Sequence, residues 1–187
     1  MAEAGVRTAG LGDAAEIARI QVTTWQSAYE EVLPPAVLAG LDSSVAEREW
    51  RETISDGPAT VLVAEEGRWT VGFCAAGPAP DGEVAAADGS LPADASTTVL
   101  VSALLVEPRW GRRGHGGRLL ATVGRRLAET GATRGISWVP EADSATLSFY
   151  RAAGWNPDGT VRTLDAGGRP LREVRLTGSL EFEFEHD

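Results

Sequence analysis

The run "TTVLVSALLVEP", residues 97–108, constrains the fold more than any other stretch of the chain. It is β-branched and nearly continuously apolar, so it has no polar face to give to water. Such a run reads as a central strand covered on both faces. A proline, a glycine-rich turn and an amphipathic helix follow at once in "PRWGRRGHGGRLLATVGRRLAE", residues 108–129. Leu119, Leu120, Val123 and Leu127 mark the helix's apolar side, and Gly131 stands where its stop is expected. "GISWVP" reads as a second buried strand and "GVRTAG" as a short first one. Thr60 to Ala64 with Thr70 to Ala75 predict a hairpin, and "TVRTLDAGGRPLREVRLTG" predicts another turning at "DAGG".

Helical spacing starts at Asp13, with Ile17, Trp25 and Tyr29 near one face. "LPPAVLAG" starts a second, short helix, since proline is tolerated in a first turn. "LDSSVAEREWRETIS" reads as a helix capped by Asp42 or Ser43, and "DSATLSFYRAAGW" as one capped by Asp143 or Ser144 and stopped at Gly154. Residues 77–96 are rich in Pro, Gly, Ala and Asp and lack large side chains. They predict a long mobile loop that buries little, inside the domain and not at its boundary. The end, "SLEFEFEHD" (179–187), sets Leu180, Phe182 and Phe184 against Glu181, Glu183 and Glu185. It is either a two-faced strand, pairing with the sheet edge or with a second subunit in a homodimer, or a frayed acidic terminus.

Charge and composition exclude several functions. The net charge is 17 − 27 = −10 and all the basic residues are arginine. Such a chain repels phosphate backbones, so no nucleic-acid partner is expected. One cysteine, Cys74, allows no internal disulfide and fits a reducing compartment. The start has no basic segment followed by an apolar run, and the longest apolar run is too short for a bilayer. A cytoplasmic protein with no membrane partner is the expectation. The histidines are His115 and His186, and no Gly-x-Ser-x-Gly elbow occurs, so neither a Ser-His-Asp site nor a metal site is expected.

Against this acidic background, six arginines and no acidic residue fall between Arg109 and Leu127. A helix start offers unpaired N–H groups and the positive end of its dipole. Gly114, Gly116 and Gly117 let backbone approach a ligand closely, and Arg112, Arg113 and Arg118 add donors suited to phosphate. The combination predicts a phosphate or diphosphate site. A Walker loop needs a lysine, which is absent, and a dinucleotide fingerprint needs its turn in an early βαβ unit.

"VEPRWGRRGHGGRLL" resembles the acyl-CoA-binding turn of the GNAT superfamily of N-acyltransferases, with Val106, Pro108, Gly114 and Gly116 in frame. "DSATLSFYRAAGW" is similar to a second motif of that family, matched at Phe149, Tyr150, Gly154 and Trp155, and "TTWQSAYEEVLP" is loosely similar to its first helix and loop. Gly111 departs by standing where the family has Gln or Arg, His115 where an aliphatic is common, and Asp143 where Asn is usual. The resemblance implies one α/β (α+β) domain over residues 1–187, with a mixed, mostly antiparallel twisted sheet flanked by helices. It implies acetyl transfer from acetyl-CoA to a primary amine of a small molecule, amino acid or peptide. Leu104, Leu105 and Val106, residues 112–118 and Asp143 would contact acetyl-CoA, with Arg112 or Arg113 standing in for the missing side chain at Gly111. Tyr150 would protonate the leaving sulfur, and Trp25 and Tyr29 would wall the acceptor site. Glu30, Glu31 and Glu141 are open candidates for a general base. The rival readings are a non-catalytic acyl-CoA-binding module and an unrelated nucleotide or sugar-phosphate binder.

Overall fold

The computed structural model describes residues 3–182. The chain runs β1 (Ala4–Thr8), α1 (Ala14–Ala28), α2 (Pro35–Ala39), α3 (Ser43–Asp56), β2 (Thr60–Glu66), β3 (Trp69–Pro78), α4 (Asp81–Val84), β4 (Thr98–Val106), α5 (His115–Glu129), β5 (Arg134–Pro140), α6 (Ser144–Ala152), β6 (Asn156–Ala166) and β7 (Arg169–Ser179). Among the described residues, seven strands form one sheet in the order β1-β2-β3-β4-β5-β7-β6. Every neighbouring pair is antiparallel except β4 and β5, whose parallel pairing needs the α5 crossover. The single domain and the mostly antiparallel sheet flanked by helices are as expected.

Strand periodicity distributes the core. On β2, Val61 and Val63 join α1 and α3 on one face, while Leu62 and Ala64 join α5 on the other. Both faces are therefore covered. The helix ends follow local chemistry: Asp42 caps α3 by accepting from the N–H groups of Ser44 (2.8 Å) and Val45 (3.3 Å), and Asp143 caps α6 by accepting from Thr146 N–H (3.0 Å).

The strand β4 departs from its expected burial on both faces. Its pairing with β5 covers only Thr98–Leu100 against Arg134–Ile136, although β4 continues to Val106 and β5 to Pro140. Past that point the two strands part. Ser102 is exposed, and Ala103 to Val106 are only half-buried. The register with β3 also slips by one residue at Ser102, between the Ala75–Ala103 and Ala76–Val101 pairs. This bulge resets the alternation. Val99 and Val101 face the α5 core, and beyond the bulge Leu104 and Val106 face it too, with Ala103 and Leu105 on the opposite side. A hydrophobic run does not reveal that its second half lines an opening.

Residues 77–96 are a second correction. They bury Val84 (1% exposed) and form α4. Arg175 donates to the carbonyls of Glu83 (3.0 Å) and Ala85 (2.8 Å), and Arg134 pairs with Asp94 (2.7 Å). Polar anchors from distant strands do what large side chains do elsewhere. In the tail, Leu180 is buried and its carbonyl lies beside Gly124. The expected alternation through Phe184, and pairing with a second subunit, fall outside the described residues.

Candidate active site

The glycine-arginine turn is held from below. Glu107 is buried, its N–H donates to Val71 O (2.9 Å), and its carboxylate accepts from Arg19 of α1 (3.3 Å) and Arg109 (2.9 Å). A short 3-10 turn, Pro108–Trp110, then leads to Arg112 at φ 60 and Gly114 at φ 80. Arg112 is the described non-glycine residue at positive φ, a conformation that L side chains adopt at a cost of about 1 kcal/mol or more. Gly114 takes it freely and delivers the chain into α5. Among the described residues, the N–H groups of Arg112 to Gly117 have no protein acceptor. They form a cluster of donors at the positive end of a 15-residue helix.

The side chains of this turn divide into two sets. His115 is buried and its Nε2 lies 2.8 Å from Glu66 Oε2, while Arg113 donates to the same carboxylate at 2.8 Å. Arg113 and the His115 ring thus brace the turn against β2. Arg112 and Arg118 are exposed; Arg112 has no protein acceptor among the described residues, and Arg118 has only a 3.4 Å contact with His115 Nδ1. Gly116 lets α5 start against α6, since a Cβ there would lie 3.1 Å from Phe149 and 3.8 Å from Leu104. The two motifs quoted from distant parts of the chain meet at this point.

The His115 hydrogen bond, and then Arg113, hold the Glu66 carboxyl below its ordinary value of 4.5. A depressed carboxyl pKa stabilises the fold above the ordinary value, and that contribution is lost as pH falls through the folded value. Glu66→Gln is expected to weaken binding of a diphosphate ligand at the turn by about tenfold, one charge-assisted contact's worth. It should also remove the matching acid-side step from the stability profile. Unchanged affinity by calorimetry would show that the brace does not shape the turn.

Where β4 and β5 part, a cavity of about 600 Å³ opens between the sheet and α1. Tyr150 lies at the fork, 2% exposed. Its hydroxyl donates to Ser137 Oγ (3.2 Å), which donates to Val101 O (3.1 Å) just beyond the last β4–β5 pair. Burial pushes the phenol above its ordinary pKa, so it keeps its proton. Leu104 and Leu105 line the same cavity, as do Trp25 and Tyr29 of the first helix and its C-terminal cap. Tyr29 donates to Asp143 at 3.4 Å and is also shifted upward, mainly by burial. Asp143 thus caps α6 and faces Tyr29.

The expected bases lie elsewhere. Glu30 and Glu31 are exposed and outside the cavity, and Glu141 pairs with Arg172 at the surface. The carboxylate that lines the cavity is Glu173 on β7, 8% exposed and bonded to Arg162 Nε at 2.8 Å. Sequence reading missed Glu173, Arg162, Ser137 and Glu66. One signal was present: Glu173 shares strand parity with Leu171, so both occupy one face of β7. Among the described residues, no cluster of three His, Cys, Asp or Glu side chains could hold a metal, and no helix is long and apolar enough to cross a membrane.

Residues 23–155 match the model of the Acetyltransferase (GNAT) family. The chain is 31% identical over 173 residues to the uncharacterized N-acetyltransferase YuaI of Bacillus subtilis (strain 168), covering 91% of this chain and 90% of that one. Its fold matches the PaiA N-acetyltransferase of Thermoplasma acidophilum, solved in complex with coenzyme A, at a TM-score of 0.70 and 14% identity over 95% of this chain and 99% of that one. It likewise matches YncA of Salmonella typhimurium, solved with acetyl-CoA, at a TM-score of 0.69 and 17% identity over 99% and 98% of the two chains.

Proposed function

This chain belongs to the acetyltransferase (GNAT) family, and on that premise we propose that it transfers an acetyl group from acetyl-CoA to a primary amine by direct attack within a ternary complex. The observation that carries this reading is the row of acceptor-free N–H groups from Arg112 to Gly117, set beside the fork that holds Tyr150. These N–H groups and the unspent cations Arg112 and Arg118 suit the diphosphate of acetyl-CoA. The second half of β4, Leu104 to Val106, pairs with β3 on one edge and leaves the edge toward β5 open, offering backbone to an extended arm. Acetyl-CoA supplies a thioester already activated toward amines.

The chain's own residues meet the demand at the leaving group. The bound ammonium loses a proton to solvent, the neutral nitrogen bonds to the acetyl carbon and sheds a second, the carbon–sulfur bond breaks, and the sulfur takes a proton that its donor recovers through solvent. Tyr150 holds one on a phenol that burial keeps neutral. Its O–H turns from Ser137 to the departing sulfur, while packing against Phe149 and Trp155 keeps the ring in place. Trp25 and Tyr29 wall the amine's side of the cavity and exclude water.

Thermal unfolding tests the donor site. Acetyl-CoA and CoA at about a hundred times their dissociation constants should each add about 2.7 kcal/mol to native stability. ATP and NAD at equal concentration should not. A shift with NAD or ATP and none with CoA would replace this reading by that of a general nucleotide binder.

A further inference from the structure

The charges on the cavity wall go further and select among amines, resting on the transfer reading above. Glu173 is buried, and among the described residues its Oε2 has no protein partner. Its other oxygen holds Arg162, and Arg162 is already neutralised twice. Its Nε binds Glu173 (2.8 Å), its Nη1 binds Glu83 (2.9 Å), and its guanidinium lies over the Trp138 ring at 4.2 Å. One cation against two carboxylates leaves this cluster at 1 − 2 = −1. Arg175, the other cation beside Trp138, is fully spent on Asp158, Thr160 and two backbone carbonyls. Among the described residues, the cavity lining therefore presents a carboxylate oxygen and no uncompensated cation. Trp25, Tyr29, Trp138 and Leu164 line the same cavity and offer mainly rings and hydrocarbon.

We propose that the acceptor is a primary amine on an apolar, ring-sized body with no carboxylate of its own, its ammonium held by Glu173. An ammonium meets Glu173 Oε2 and aromatic faces, both favourable to a cation. A ligand carboxylate in the same cavity meets the Glu173 carboxylate, while Glu83 offsets Arg162 from behind it, and like charges repel. An amino acid differs from its decarboxylated amine by that group alone.

The test follows thiol release by the full chain at saturating acetyl-CoA, for 2-phenylethylamine against phenylalanine and tryptamine against tryptophan. We expect kcat/KM to favour the decarboxylated member of each pair by about a hundredfold. Glu173→Gln should raise the KM for 2-phenylethylamine by about tenfold or more and leave the KM for acetyl-CoA unchanged. Glu83→Gln leaves Glu173 intact, unmasks one side of Arg162, and should narrow the preference by about tenfold. It also keeps the idea testable where the Glu173 variant fails to fold. Equal or reversed preference would overturn this inference and leave acetyl transfer standing. No acetylation of any of the four, with a normal thermal shift by acetyl-CoA, would overturn this inference, whereas no thermal shift by acetyl-CoA would overturn the transfer reading itself.

Discussion

Tyr150→Phe lowers kcat by about a hundredfold and leaves the dissociation constant for acetyl-CoA unchanged: this is the expected result for a residue that acts on the leaving sulfur alone. The ring stays because its environment holds it. It packs on Trp155 at 5.3 Å with a 30° tilt and on Phe149 edge-on at 5.3 Å. Only the hydrogen bond to Ser137 is lost, worth about 1 kcal/mol of stability. Because burial raises the phenol's pKa, the wild-type enzyme should not lose activity through tyrosine ionisation up to about pH 10, the ordinary value. Steady-state kinetics with any accepted amine, beside calorimetry with acetyl-CoA, check both halves. A variant with full turnover would show Tyr150 to be a packing residue, and a variant with weakened donor binding would show that the hydroxyl holds the ligand.

The second large effect concerns Gly178. Gly135 on β5 and Gly178 on β7 are register partners, and together they make a slot for the Trp155 indole, which is fully buried. A Cβ at either glycine would run into the indole ring. Trp155 cannot step aside, since its Nε1 donates to Ser179 O (3.0 Å) and its N–H donates to Tyr150 O (2.9 Å). Gly178→Ala should therefore destabilise the protein by about 3 kcal/mol, at the upper end for overpacking by one methyl. For a chain of this size that lowers Tm by about 6–12 °C. Adding Trp155→Phe, a smaller ring, should recover part of the loss. Wild-type stability of Gly178→Ala in urea would mean that β5 and β7 can part to admit the methyl. The same slot positions the tyrosine, so survivors should also show reduced turnover.

Local patterns carried much of the fold. The β-prone run of Thr60 to Ala64, the helix starts at Asp42 or Ser43 and at Asp143 or Ser144, and the amphipathic spacing of Leu119 to Leu127 each reflect forces acting within a few residues. They were legible for that reason. So was the glycine-arginine turn, because left-handed backbone and close approach demand particular residue types there. The division of labour within the turn was not legible. Arg112, Arg113 and Arg118 are identical in type, and only the position of Glu66 on β2, reached through the packing of α5 on the sheet, decides which of them braces and which stays free.

The sequence by itself determined the order of elements, the apolar faces and the turn, because hydrophobic periodicity and backbone sterics are properties of short segments. Only the tertiary structure decided the fork between β4 and β5, the anchoring of residues 77–96 and the placing of Glu173, and not Glu30, Glu31 or Glu141, on the cavity wall. These depend on charges and strands far apart in the chain. A carboxylate becomes part of a site through what surrounds it, and β6, β7 and α4 bring Arg162, Glu173 and Glu83 together only once the sheet has closed.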